Sequence, residues 1–387
     1  MTLGTLGQVA LNIVLPSLPA IGVDLQIPHG GERLVVSVFL IGFASGQLLI
    51  GPLSDRFGRR CFLLPGLLLY AALGAIAAFA DSFEWLLIAR LLQGLGAAAG
   101  FVIARAIARD SFQGTALVRI FGLLAITMGI MPGLSPIIGG FLQDFVGWQA
   151  NMLFTTFYGG LILVLCFFAM PETGVPAIEK ISVPKVAFNY LSIFKDPTFR
   201  RFAGTNALTL GSLYAFSSGG PELIIRQLGL APSSFGFLAF LHSSAYMLGA
   251  MTVSIFSHKI TEPSKVIFIS ALVMCGSAVC MLSLGLTGNA VVVPIMSCMV
   301  IFGYALGSIL PLGVAGALSP FHARAGTATA LLGAMQMTAG AIASAIVAAF
   351  PDKPSLAFPI VMIIMTGAAA LTSRRGKQEA IEAEENP

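Results

Sequence analysis

Twelve stretches of about 20 apolar residues leave this chain almost no choice of solvent. They fall near residues 3–22, 35–54, 62–80, 85–106, 117–141, 149–170, 203–225, 235–257, 266–286, 290–316, 325–350 and 355–373. An α-helix rises 1.5 Å per residue, so each stretch is long enough to cross a hydrocarbon core of about 30 Å. Only 10% of the 387 residues are charged, against about 25% in a soluble domain. Within lipid every backbone polar group must be paired inside its own segment, which selects helices. The expected fold is therefore all-α and integral to the membrane, with twelve transmembrane helices. The 43 glycines and 21 prolines suit membrane helices, where small residues permit close approach and neighbours satisfy freed backbone groups.

The basic residues test that count. With twelve alternating spans, seventeen of the 21 Lys and Arg fall on one side, three (Arg33, Arg226 and Lys353) on the other, and Arg90 inside a span. The positive-inside rule places both termini in the cytoplasm. The charge is thus topological, and nucleic acid is not an expected partner. The N-terminus has neither a basic leader nor a small-residue cleavage site, so no removed signal peptide is expected, although a short native leader could precede Met1. The five cysteines (Cys61, Cys166, Cys275, Cys280, Cys298) lie in apolar runs without metal-ligand spacing, and read as buried free thiols. No metal site, cofactor, nucleophile–base set or phosphate-binding loop is apparent, which argues against an enzyme or an ATP-driven pump.

Residues 171–202 interrupt the apolar pattern with Pro171, Glu172, Glu179, Lys180, Pro184, Lys185 and Lys195. They divide the runs six and six. The expected organisation is an N-terminal six-helix bundle (1–170), a cytoplasmic linker (171–202), a C-terminal six-helix bundle (203–373) and a cytoplasmic tail (374–387), basic and then acidic, expected to be disordered. Such internal pseudosymmetry places a substrate cavity near the midplane, between the halves.

Four segments carry the functional argument. The first is the turn Gly51-Pro-Leu-Ser-Asp-Arg-Phe-Gly-Arg-Arg60. Asp55 and Arg59 are four apart and pair across one helical turn; Gly51 and Gly58 allow close approach and a tight turn. Arg56 and Arg60 add charge, and Asp110 lies within reach of Arg59. The second is Arg90-Leu-Leu-Gln93-Gly-Leu-Gly96 in the fourth run. A charge inside the bilayer costs about 2.5–3.5 kcal/mol on insertion scales, so Arg90 should face a wet cavity or a partner. The third, Pro132-Gly-Leu-Ser-Pro136-Ile-Ile-Gly139-Gly140, places two prolines in one helix, which kinks it, and two glycines that permit tight packing. The fourth comprises Leu15-Pro-Ser-Leu-Pro19 in the first run and Ala325-Gly-Thr-Ala-Thr-Ala-Leu-Leu-Gly-Ala-Met-Gln336 in the eleventh. Together these resemble the major facilitator superfamily, in particular its bicyclomycin/chloramphenicol-resistance branch of drug:proton antiporters. The resemblance is dense over residues 10–140 and thin over 200–320. It implies two pseudosymmetric bundles, a monomer in the inner membrane, no cofactor, and small-molecule substrate, protons and lipid as partners. It also implies that Asp55 caps the eleventh helix near Gly326-Thr327, forming with its neighbours a gate that breaks when the protein opens inward.

The chain departs from that branch at Asn12, where the branch carries an aspartate that is the usual proton site. An amide does not titrate there. No other acid falls mid-membrane: Asp24, Glu32, Asp81, Glu84, Asp144, Glu222 and Asp352 sit toward one face, and the rest toward the other. Three outcomes stay open. Glu222 lies deeper than its position suggests and serves as the acid; the protein is a uniporter or exchanger that uses Arg90 to bind an anionic or zwitterionic metabolite; or it is a degenerate sensor or scaffold. The leading expectation is secondary-active efflux of drugs or small amphiphilic metabolites by alternating access. The expected cavity residues are Asn12, Gln47, Arg90, Gln93, Asn206, Tyr214, Tyr304 and Gln336, in an apolar surround. His242 and His322 titrate near neutrality in principle but read as packing or loop residues.

Overall fold

A computed structural model describes every residue except 1, 29, 174–182, 289–290, 322–323, 351–352 and 386–387; Glu179, Lys180, His322 and Asp352 thus lie outside the described residues. The apolar runs form α1 (Thr2–Asp24), α2 (Leu34–Phe57), α3 (Arg59–Ala78), α4 (Phe83–Ser111), α5 (Gly114–Phe145) and α6 (Trp148–Ala169). After a linker helix, Val183–Lys195, come α7 (Pro197–Pro221), α8 (Pro232–Ile255), α9 (Pro263–Leu286), α10 (Val292–Leu318), α11 (Ala325–Ala348) and α12 (Pro354–Glu385).

Eleven of these, among the described residues, are long and apolar enough to cross a membrane. The twelfth, α7, falls short because its buried face carries Thr205, Asn206, Thr209, Ser212, Ser217 and Ser218. It spans nonetheless: Thr205, Thr209 and Ser212 donate to carbonyls one turn back, which pairs their hydroxyls within the helix. It begins at Pro197, earlier than the hydropathy predicts, because Asp196 accepts from the Phe199 amide at 2.8 Å and Pro197 suits the first turn.

α1 is broken. Helix Leu6–Asn12 stops, a single 3₁₀ turn spans Leu15–Ser17, and helix resumes over Leu18–Asp24. Pro16 and Pro19 lack the amides that would bond to Asn12 and Leu15, so carbonyls at the break are freed for other partners. α5, by contrast, runs as one helix through Pro132 and Pro136.

The two halves repeat the same contacts. In the first, α2 packs on α4, α3 on α4 and α3 on α6; in the second, α8 packs on α10, α9 on α10 and α9 on α12. The glycines match as well. Gly94 of α4 lies against the Phe39 carbonyl as Gly303 of α10 lies against the His242 carbonyl; Gly46 meets Leu95 as Gly249 meets Tyr304. Two extensive contacts join the bundles, α2 on α11 and α5 on α8, and these are equivalent under the repeat. The architecture is thus two pseudosymmetric six-helix bundles.

Two segments differ from expectation. The 171–202 stretch is not a plain loop, since it holds the linker helix and the start of α7. The tail continues α12 to Glu385, because residues after Arg374 are mostly strong helix formers. All five cysteines are free, but only Cys166 and Cys298 are buried; Cys61 and Cys280 are exposed on helix faces.

On α5, a Cβ at Gly139 would overlap the Ile13 carbonyl of the α1 break, and one at Gly140 would come 2.5 Å from the Pro232 carbonyl of α8. Gly122 on the same helix has open space. Gly139→Ala should destabilise the protein by about 1–3 kcal/mol through overpacking, whereas Gly122→Ala should be neutral or stabilising. Thermal unfolding in detergent, followed by gel filtration, compares them; equal melting of the two variants would contradict the packing.

Candidate functional site

The polar residues fall in three layers along α2, whose ends at Arg33 and Asp55 are about 33 Å apart at 1.5 Å per residue.

At the end bearing the linker helix, the α2–α3 turn is organised by Arg59. Its guanidinium pairs with Asp55, donates to Asp110 Oδ2 of α4 at 3.0 Å and reaches Ser54 Oγ at 3.0 Å. Gly58 turns the chain at φ +98, a conformation that suits glycine. Glu172, just past α6, accepts from the Arg59 and Arg60 amides at 2.8 and 3.0 Å. It caps α3, where exposed amides and the helix dipole favour an anion. Arg60 in turn donates to the Met170 and Phe167 carbonyls. Arg56 stacks on Phe57, and a Cβ at Gly51 would meet Val102 at 4.0 Å, an ordinary contact. The expected contact of Asp55 with the N-terminus of α11 is not formed. Its carboxylate is 61% exposed and engaged by Arg59, while Arg109 of α4 lies beside Gly326. The capping acid is Glu172 and the capped helix is α3, a pairing hidden from sequence by a separation of 113 positions.

The linker helix spans both bundles at this end. The Tyr190 hydroxyl donates to the Leu48 carbonyl of α2 at 3.0 Å, and Ser192 accepts from Arg324 at 3.0 Å. Ile193 packs with Phe199, Phe321 and Leu332 of the second bundle. Burial, aided by the Asp55 charge, pushes the Tyr190 phenol up to about 12, so it remains a donor at growth pH.

The middle layer divides into two networks. Arg90 is fully buried and does not line an open cavity. It donates to Gln93 Oε1 at 2.7 Å and to the Ala10 carbonyl at 2.9 Å, and its guanidinium lies 4.4 Å from the Phe39 ring centre. Ala10 lies just before the α1 break, and its carbonyl takes part of the charge in place of a carboxylate, while Arg90 Nε stays buried without a hydrogen-bond partner. Gln93 donates to Thr155 Oγ1 of α6 at 3.0 Å. Asn12 turns back to the Gln8 carbonyl at 2.7 Å. Asn151 was not foreseen; it donates to Ser17 Oγ and to the Gly139 carbonyl, tying the α1 break to α5.

The second network lies where the bundles meet. Gln336 of α11 donates to Asn206 Oδ1 of α7 at 2.7 Å, and Asn206 donates to the Leu310 carbonyl of α10 at 3.0 Å. One turn along α11, Gly333 accommodates the Gln47 side chain of α2. The Gln47 carboxamide is 1% exposed, and neither its oxygen nor its nitrogen has a hydrogen-bond partner. Tyr214 is buried behind Gly340 and reaches the Met337 sulfur. Tyr304 does not join them. It corresponds to Leu95 under the repeat, is 43% exposed and donates to Thr252 on the α8–α10 face. His242 is buried with Nδ1 2.9 Å from the Met299 carbonyl, a packing position.

At the opposite end, Glu222 opens a π-helical segment, Glu222–Gln227, that continues α7. It is 9% exposed and accepts from Arg226 at 3.2 Å. Beside it are Glu32 and Arg33, expected beyond the membrane but 5% and 1% exposed here. Arg33 donates to the Val347 carbonyl of α11 at 2.9 Å.

The polar groups are thus buried in three layers through a bundle of membrane-length helices. The model of the Major Facilitator Superfamily matches residues 1–344, and the chain belongs to that family. An uncharacterized MFS-type transporter, YdgK, of Bacillus subtilis (strain 168) is 31% identical over 89% of this chain and 86% of its own. Multidrug resistance protein D of Escherichia coli (strain K12) is 28% identical over 93% and 90%. Among solved structures, a D-xylose-proton symporter superposes with a TM-score of 0.72 at 17% identity, covering 96% of this chain and 95% of that one.

Replacing Arg90 with alanine strands Gln93 Oε1 and the Ala10 carbonyl. The loss should be about 2–4 kcal/mol of stability, seen as a lower melting temperature; an unchanged melt would show that the network contributes nothing.

Proposed function

We propose that this chain exports small amphiphilic molecules, drugs or metabolites, across the bacterial inner membrane by alternating access, driven by protons. The linker end is cytoplasmic, as are both termini, because most Lys and Arg gather there. The working division is 1–170 and 203–373 as the two moving bundles, 171–202 as the linker and 374–387 as the tail, in a monomer embedded in lipid. The observation that carries the reading is Gln47. A fully buried amide without a partner costs about 1–3 kcal/mol, and this one sits between the bundles one turn from the Asn206–Gln336 pair. A substrate carrying an amide, hydroxyl or carbonyl would satisfy it, with the apolar surround taking the rest of the molecule. The relative named for multidrug resistance supports efflux. Arg90 is committed to α1 and Gln93, which disfavours the anion-exchanger reading.

Drive requires an acid in place of Asn12, and Glu222 is the candidate. One proton crossing 100 mV supplies about 2.3 kcal/mol. The Asp55–Arg59–Asp110 set holds α2, α3 and α4 together beside the point where Arg109 meets Gly326 of α11, and that junction opens when the carrier faces inward, with Gly139 and Gly140 as the contact about which α5 moves.

The test is accumulation of a drug panel in efflux-deficient cells expressing the protein, with and without an uncoupler. Accumulation should fall, the uncoupler should reverse the fall, and Glu222→Gln should abolish it. Failure of every compound to respond, with protein confirmed in the membrane, would overturn the multidrug reading.

A further inference from the structure

The linker helix, Val183–Lys195, has two apolar sides, and the fold uses only one of them. Tyr190 and Ile193 turn toward the bundles, and Ile193 is fully buried. Phe188, Leu191 and Phe194 recur at every third position, which gathers them on the other side of the helix. They are 69%, 49% and 44% exposed. The helix carries Lys185 and Lys195 and no acid. Lys195 is exposed, as is Arg200 just beyond it.

Three contacts set the depth at which this helix lies. Tyr190 reaches the Leu48 carbonyl, nine positions inside the end of α2 at Phe57, about 14 Å along the axis. Ile193 packs in one cluster with Leu332, seven positions inside the start of α11 at Ala325, about 10 Å along that axis. Arg324, just ahead of α11, donates to Ser192. The helix therefore lies beside the ends of membrane-crossing helices, at the level where headgroups meet acyl chains. An exposed apolar face at that level is covered by lipid, and lysines beside it meet anionic headgroups.

The Leu48 carbonyl is open to Tyr190 because Pro52, four positions on within α2, has no amide to give it. Left bare in lipid that carbonyl would be costly, and the Tyr190 hydroxyl satisfies it. Ile193 and Arg324 hold the helix to the second bundle, and Tyr190 reaches from it to the first. We propose that the linker helix is seated in the membrane leaflet at this end, with Phe188, Leu191 and Phe194 among acyl chains and its lysines at anionic headgroups, and that this seat makes Tyr190 a brace across the α2–α11 contact. Parting α2 from α11 here draws Tyr190 away and bares the Leu48 carbonyl, so the seated helix resists opening of this end.

The test is tryptophan fluorescence of the full-length protein in nanodiscs. Phe188→Trp in a Trp85→Phe background adds one reporter to Trp148, which is buried at the opposite end. Phosphatidylglycerol with brominated chains should quench the added emission, and acrylamide in the water should not. Emission that acrylamide quenches, or that the brominated lipid does not, puts the face in water and overturns the seat. Brominated phosphatidylcholine should quench less than the anionic lipid; equal quenching overturns the part given to the lysines. If Phe188→Trp does not fold, Leu191→Trp reports on the same face. The brace is read from the distance between spin labels at Ser111 and Ser319, at the ends of α4 and α10. Tyr190→Phe should leave the lipid quenching unchanged and lengthen that distance, and Phe188→Ser with Leu191→Ser should lengthen it too. A distance that neither variant moves overturns the brace. None of these readouts involves transport, so a protein that exports nothing yet keeps the lipid quenching overturns the efflux reading alone.

Discussion

Everything in this structure depends on how closely the two bundles approach along α2–α11 and α5–α8. Gly333 admits the Gln47 side chain, and Gly140 with Gly236 brings the α5 and α8 backbones into direct contact. Between lipid-soluble helices there is no hydrophobic driving force, so packing and buried hydrogen bonds must supply the association. Close backbone contact provides the packing, joined across α5–α8 by the edge-on pair Phe141 and Phe237. The same contacts that hold the bundles together can therefore act as pivots, with polar locks left to the two ends.

The break in α1 links the layers. The helix breaks between Asn12 and Leu18, and two carbonyls beside the break answer two needs: Ala10 accepts from Arg90, and Ile13 meets Gly139 of α5. Asn151 holds the break from the α6 side through Ser17. An arginine that would be expensive in lipid becomes the tie between α1 and α4, and α1 becomes the element that connects the N-terminal core to the α5–α8 contact. With Arg90 held by α1 and Gln93, the buried polar groups where the bundles meet are the neutral amides of Gln47, Asn206 and Gln336.

Much of this was legible in the sequence. Apolar runs fixed the helices because lipid tolerates few other structures, and the 51–60 turn foretold the Asp55–Arg59 pair because its spacing is local, with Asp110, 51 residues on, joining it. What escaped depended on distance in sequence. Glu172 looked like a linker acid until the fold carried it to the α3 N-terminus. Arg90 was expected at a wet wall, since nothing in its own helix revealed that a broken α1 would supply carbonyls. Tyr304 lies on α10, whose Leu310 carbonyl accepts from Asn206, but its own hydroxyl points to Thr252 on the α8–α10 face. Glu32 and Arg33 looked like loop charges, and their burial requires α1, α7 and α11 to close over them. Hydropathy nearly missed α7, whose hydroxyls are satisfied by its own backbone.

The central claim is that the bundles rock about these contacts, one end closing as the other opens. Pulsed electron paramagnetic resonance in nanodiscs tests it directly, using two spin-label pairs placed at the ends of α4 and α10: Glu84 with Val291, and Ser111 with Ser319, all exposed. The account predicts that pH and substrate shift the two distance distributions in opposite senses, the Glu84–Val291 distance shortening while the Ser111–Ser319 distance lengthens. Distances that move in the same sense, or that stay fixed under every condition in protein that still exports, would contradict it.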